Sequence, residues 1–164
     1  MAKKPKKLNS MRLLDANNVP YEVLEYDSSI KDAQQVAEMV GMPPFMVYKT
    51  LIVQSVKSNM PFIAMIACDC QLDLKRMASA AKEKKVHMAK HSTAEKLTGL
   101  QVGGISALML MDKNWSVYID QPAMELQNIV ISAGQRGLQL RIPVMPLLNL
   151  LKAKIAEISQ TDES

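Results

Sequence analysis

The chain, 164 residues long, predicts an α/β (α+β) fold: a single compact domain built on a curved mixed β-sheet flanked by helices. Three observations carry that reading. Two apolar, β-branched runs, VYKTLIVQSV (47–56) and PFIAMIA (61–67), stand either side of a polar KSNM turn, the pattern of an antiparallel hairpin. Helical spacings alternate with further short strand-like runs on both sides of that hairpin. Composition points to one unit: 48% of residues are hydrophobic and 22% charged, with no internal repeat. The expected divisions are a basic flexible tail at 1–8, the domain at 9–158 and a frayed C-terminus at 159–164.

Each element has a local cause. Residues 9–17 form a short helix with Met11 and Leu14 turned inward and Leu13 beside them. Pro20 opens a strand that ends at Tyr26. Asp32 caps a helix over 32–40 with Val36, Met39 and Val40 as its apolar positions, and Gly41 closes it just ahead of Pro43 and Pro44. After the hairpin, Asp73 caps a helix reaching about Lys82, and 85–88 make a brief strand. Ser92-Thr93-Ala94-Glu95 has the spacing of a capping box and opens another helix. A glycine loop, QVGGISAL (101–108), leads to strands at 115–120, 128–132 and 138–142. Val144 to Ile158 reads as a terminal helix with Leu147, Leu148, Leu151 and Ile155 on its core face.

Charge and cysteine content exclude several function classes. The net charge is +4, but Lys3, Lys4, Lys6 and Lys7 all lie in the first seven residues; without them the chain carries 16 basic and 16 acidic side chains. That is a neutral body with a basic tail, which adds at most a weak, salt-sensitive attraction to phosphates. Cys68 and Cys70, two positions apart, make no disulfide framework. No apolar run approaches the roughly 18–20 residues that span a bilayer, and no apolar segment follows MAKKPKK to make a secretory signal. A cytoplasmic protein with no membrane partner is expected.

The candidate chemistry is sparse. Cys68, Cys70, His87 and His91 are metal-ligand types at poor spacing, so no metal and no cofactor is expected. There is no nucleophile elbow; a Ser-His-Asp arrangement would need Ser106 or Ser132 to meet one of the two histidines, and no local pattern supports it. Nor is there a Walker loop. Five of the six glycines nevertheless fall within 99–137, where GGIS (103–106) and SAGQRG (132–137) offer exposed main-chain amides able to hold an oxyanion. Such turns are commonplace in β-rich domains. Lys49 is more unusual, a lysine inside an apolar strand: either an outward, solvated ammonium or a fixed cation in a pocket for phosphate or carboxylate.

Taken in order, VYKTLIV (47–53), CQLDLKRMA (70–78), VHMAK (86–90), TGLQVGGIS (98–106), YIDQPAME (118–125) and ISAGQRGLQL (131–140) resemble the YbaK-type aminoacyl-tRNA deacylases, relatives of the editing domain of bacterial prolyl-tRNA synthetases. The resemblance runs from about residue 10 to 158. It implies hydrolysis of the ester joining a misattached amino acid to tRNA, with cysteine on tRNA(Pro) as the substrate. It also implies that the substrate's own thiol attacks, a proximity effect that dispenses with a protein nucleophile. Lys49 matches the family's strand lysine, which anchors the terminal adenosine phosphate or orients the ester. Gly103, Gly104 and Ser106 match the loop lining the aminoacyl pocket, and Ser132, Gly134, Arg136 and Gly137 the turn beside it. Tyr26 and Asp120 align with the pocket edge, and Arg136 has a second reading as a clamp from that turn to a carboxylate such as Asp120.

One position departs from the pattern. Ala107 stands where the family loop has proline, which frees φ and restores an N–H. No pocket residue carries over from the segment between Tyr26 and Lys49. Prolyl-tRNA synthetase is the expected partner that delivers the aminoacyl-tRNA, since a neutral body binds tRNA weakly. Two alternatives stand beside this reading: a deacylase of alanyl- or seryl-tRNA(Pro) in which water attacks, and an inactive module that binds a synthetase or tRNA.

Overall fold

A computed structural model describes residues 7–161. Helix α1 (Asn9–Ala16) buries Met11 and Leu14, and the Ser10 hydroxyl donates to the Ala133 carbonyl, tying the helix to the second glycine turn. Strand β1 (Glu22–Glu25) is followed by α2 (Ala33–Val40), capped by Asp32 through the Gln35 N–H and closed by Gly41 at φ +70°. Strands β2 (Tyr48–Ser55) and β3 (Pro61–Ala67) form the expected hairpin, with Tyr48 opposite Ala67 and Gln54 opposite Pro61. Then come β4 (Cys70–Leu72), α3 (Leu74–Ala80) capped by Asp73, β5 (Val86–Met88) and α4 (His91–Thr98). A 3₁₀ helix (Ala107–Lys113) leads to β6 (Val117–Asp120), β7 (Asn128–Ser132), β8 (Leu138–Pro143), α5 (Val144–Leu151), β9 (Lys154–Ala156) and β10 (Ser159–Thr161).

The strands divide into a mixed five-stranded sheet, ordered β5-β2-β3-β6-β9, an antiparallel three-stranded sheet, β1-β8-β7, and an antiparallel pair, β10-β4. β6 runs parallel to both β3 and β9. The two larger sheets meet at one isolated parallel bridge, Val47 to Val130. One face of the assembly packs Leu14, Leu110, Ile119, Ile129, Leu140 and Leu147 into the main core. The opposite face of the larger sheet packs Val53, Phe62, Ala64 and Ile66 against Met77 of α3 and Ile158. Among the described residues no helix is long and apolar enough to cross a membrane.

Several expectations change. The terminal helix stops at Leu151, because Lys152 takes φ +53° and the Ala153 N–H turns back to the Leu148 carbonyl. The chain then runs on as two strands, so Ile155 is 46% exposed on an edge rather than buried on a helix. Residues 159–161 are not frayed: β10 pairs with β4, Ser159 opposite Leu72. The fraying expected at 162–164 and the flexible tail expected at 1–6 lie outside the described residues. Lys7 pairs with Asp15, and Leu8 packs on the core, so the described end of the basic segment belongs to the domain. Met39 is exposed, leaving Val36 and Ala37 as the buried positions of α2. α4 begins at His91 without a side-chain cap, and Glu95 bonds elsewhere.

Candidate active site

A cavity of about 760 Å³ lies over β2, beside the Val47–Val130 bridge. β2 forms its floor over Tyr48–Ile52, Lys31 to Val36 one wall, and α4 another through His91, Ala94 and Glu95. Val102, Gly103, Ile105, Ser132, Arg136 and Gln139 complete it. Four residues singled out from sequence therefore meet around one space: Lys49, Gly103, Ser132 and Arg136.

The glycine turns owe their shape to close approach. Gly103 has φ +90°, and a Cβ on Gly104 would lie 2.9 Å from the Arg136 nitrogen and 3.1 Å from the Gln135 carbonyl carbon. The two turns thus stack backbone on backbone, and only glycine fits at Gly104. A pair of side chains then grips Val102: Glu95 accepts its N–H at 2.8 Å, and Arg136 Nε donates to its carbonyl at 2.7 Å. Arg136 does clamp a loop, but through a main-chain carbonyl rather than through Asp120.

The remaining expected residues sit behind or away from the cavity. The Gly104 N–H donates to the Gln101 carbonyl and the Gly134 N–H to Ser132 Oγ, so neither amide is available to a ligand. Gly134 fits against Met109, Gly137 accepts the Tyr26 N–H through its carbonyl, and Ser106 Oγ caps the following 3₁₀ helix by accepting from Leu108. Tyr26 does not line the cavity; its hydroxyl is buried with no partner among the described residues. Asp120, expected at the pocket edge, is buried elsewhere: its carboxylate accepts the Ile158 N–H at 3.0 Å and the Ser159 hydroxyl. Ala107 is buried off the cavity, so the departure from the family loop does not touch the wall.

Sequence reasoning gave Lys31, Asp32, Thr50 and Glu95 no part in a site, and weighed His91 and Cys68, which also line the cavity, only as metal ligands or members of a nucleophile arrangement. Glu95 carried a signal, its place in a capping-box pattern, but the bond goes to the glycine loop instead. Thr50 Oγ1 and the Tyr48 hydroxyl are buried without partners among the described residues. Burial, and then the Asp120 carboxylate, push the Tyr48 hydroxyl up from its ordinary value. On the same wall, Cys68 donates to the Pro44 carbonyl at 3.3 Å, and burial, helped by Asp69, pushes its thiol up to about 11. At neutral pH that thiol stays protonated, a poor nucleophile. Among the described residues no three His, Cys, Asp or Glu side chains gather where a metal would sit.

Comparison with known proteins settles the family. The profile described as the aminoacyl-tRNA editing domain matches residues 27–150, a span that contains the whole cavity. The chain belongs to the aminoacyl-tRNA editing domain family. This editing domain is 35% identical over 163 residues to a protein of Enterococcus faecalis named as a Cys-tRNA(Pro)/Cys-tRNA(Cys) deacylase, EbsC, covering 97% of this chain and 98% of that one. Two solved structures share the editing-domain fold. The hypothetical protein APE2540 matches with a TM-score of 0.85 at 20% identity, over 93% of this chain and 100% of that one. A structure described as a trans-editing enzyme for prolyl-tRNA synthetase matches at 0.78 and 19% identity, over 97% and 99%.

Proposed function

We propose that this editing domain cleaves the aminoacyl ester of mischarged tRNA, with cysteinyl-tRNA(Pro) as its preferred substrate. The observation that carries the proposal is the pairing of an ammonium, Lys49, with a cavity wall that holds no activated nucleophile among the described residues. Cys68 is protonated, and Ser132 Oγ is engaged by the Gly134 N–H. The full-length likeness to a relative named for cysteinyl-tRNA supports the choice of amino acid.

In this reading the cysteine moiety supplies the attacker. Its thiol loses a proton to water, favoured by the nearby ammonium. The thiolate then attacks the ester carbonyl carbon. The C–O bond to the ribose breaks, the ribose oxygen takes up a proton, and a thiolactone leaves for hydrolysis in solution. Lys49 stabilises the charge that develops on the carbonyl oxygen, and the Gly103 N–H, which has no partner among the described residues, is the main-chain donor beside it. Gly104 acts by letting the two turns stack. Holding thiol and ester together supplies most of the rate, because the reaction is intramolecular.

A panel of cysteinyl-, alanyl-, seryl- and prolyl-tRNA(Pro), with detection of thiolactone, tests this. Cysteine should be released fastest and through the thiolactone, and Lys49→Ala should lower the rate about 100-fold while the melting temperature holds. Cysteine release without thiolactone, or full activity in Lys49→Ala, removes the mechanism. His91 on the cavity wall favours a second reading, in which an imidazole takes a proton from water and alanine or serine is released. Faster alanyl-tRNA turnover would select it. Delivery by prolyl-tRNA synthetase belongs to the proposal too: added synthetase should raise kcat/KM, as a near-neutral body requires.

A further inference from the structure

The near-neutral total conceals a segregation of charge around the cavity. From Lys82 to Lys96 the chain carries five lysines against Glu83 and Glu95, whereas 22–38 carries five carboxylates against Lys31 alone. The two stretches supply different walls: Met88, Ala89 and His91 line the cavity on one, Lys31 to Val36 on the other. On the basic side both acids are engaged. The Ser55 hydroxyl donates to Glu83 at 3.0 Å, and Glu95 accepts the Val102 N–H at 2.8 Å. Lys82, Lys84, Lys85 and Lys90 are exposed and enter no ion pair among the described residues. β5, an outer strand of the larger sheet, joins these lysines to the cavity. At one end the Ala89 N–H donates to the Ile52 carbonyl at 3.0 Å. At the other the Lys85 carbonyl accepts the Val56 N–H at 3.0 Å, which brings the exposed Lys57 of the hairpin turn beside Lys84 and Lys85.

Resting on the deacylase reading above, we propose that Lys57, Lys84, Lys85 and Lys90 form a docking edge for the sugar–phosphate backbone of the tRNA acceptor arm, upstream of the terminal nucleotide. The 3′ end then enters the cavity over β5, not over α2. Cations on one side of a cleft and carboxylates on the other orient a polyanion as it approaches. The reach fits. From Ala89 to Lys85 the extended chain covers about 13 Å. A stacked nucleic-acid strand advances about 3.4 Å per phosphate, so the edge spans about four nucleotides beyond the ester. Lysine ammoniums are point charges on flexible stems, and contacts to phosphate fix position without reading bases. The edge therefore sets the direction of entry and leaves the choice of tRNA to the synthetase.

The test uses the whole chain with uncharged tRNA(Pro), followed by fluorescence anisotropy across a salt series. Lys84→Gln/Lys85→Gln should weaken binding about tenfold at low salt and flatten the log–log salt slope by about 1.4 to 1.8, the loss of two phosphate contacts. Lys152→Gln/Lys154→Gln removes the same charge around β9, at the opposite edge of the sheet, and should leave affinity and slope at parent values. Both variants should keep the parent melting temperature. With cysteinyl-tRNA(Pro), Lys84→Gln/Lys85→Gln should raise KM about tenfold and keep kcat. With cysteinyl-adenosine, which lacks the upstream phosphates, its KM should match the parent's. Parent slope and KM in Lys84→Gln/Lys85→Gln overturn the docking edge. An equal loss in the β9 variant means diffuse attraction and overturns it too, as does a KM for cysteinyl-adenosine that rises in step. A loss confined to stimulation by added synthetase assigns the edge to a protein partner instead. Failure of the deacylase reading looks different: the parent chain turns over no aminoacyl-tRNA, while tRNA binding still depends on Lys84 and Lys85.

Discussion

Cys68 sits on the cavity wall with its thiol donated to the Pro44 carbonyl, pushed up to about 11 from an ordinary value of 9.0, first by burial and then by Asp69. The folded state therefore keeps a proton that the unfolded chain releases at lower pH. Its contribution to stability is complete below pH 9 and is lost as pH rises toward 11. Tyr48, raised for the same reason, extends the decline above its ordinary 10.0. The melting temperature should therefore hold up to about pH 9 and then fall, and Cys68→Ala should flatten the first part of the fall without abolishing deacylation. An unchanged decline in that variant would detach the effect from Cys68, and lost deacylation would make the thiol part of the chemistry. At this scale the sequence was legible where a residue contradicted its surroundings. Lys49 stood out because an ammonium in an apolar strand needs a reason. Lys31 did not, because an exposed lysine before a helix is ordinary, and its place on the cavity depends on how that segment lies against Gly103.

Between elements, Val102 is the point where α4 and the second glycine turn meet, its N–H bound to Glu95 and its carbonyl to Arg136. Those two bonds orient the peptides that lead into Gly103, so Glu95 is a positioning residue. Glu95→Ala should lower kcat about tenfold to a hundredfold by letting the turn drift, and Glu95→Gln, which keeps an acceptor, should recover most of it. A lowered melting temperature with kcat unchanged in Glu95→Ala would reduce the bond to a structural brace. The hairpin, α2, α3 and the strands β6 to β8 were readable because each carries its own cap, turn or run of β-branched residues, and α1 because its apolar residues fall at helical spacing. β4, β9 and β10 were not. Each has three residues and is defined by its partner rather than by its pattern. The end of α5 was hidden as well, since Lys152 takes a left-handed conformation with no glycine to announce it.

Across the whole molecule, the C-terminal segment returns to the far face of the larger sheet and closes it. Ile158 is fully buried against Met77 and Phe62, its carbonyl accepts the Asp73 N–H at 2.8 Å, and β10 completes the pair with β4. Asp120 is the latch: 3% exposed, it accepts the Ile158 N–H and the Ser159 hydroxyl. That is a stability role rather than a substrate-binding one, and the two are separable. Deleting residues 158–164 removes a buried isoleucine and leaves a buried carboxylate without partners, a loss of about 4 kcal/mol from the two terms together. For a domain of this size the melting temperature should fall by roughly 10 °C. Asp120→Asn, which keeps an acceptor for the Ile158 N–H, should fall by less. Below its own transition each variant should deacylate cysteinyl-tRNA at the parent rate per folded molecule, because neither Asp120 nor Ile158 lines the cavity. A selective loss of kcat in Asp120→Asn, with its melting curve unmoved, would return Asp120 to the substrate and refute the latch.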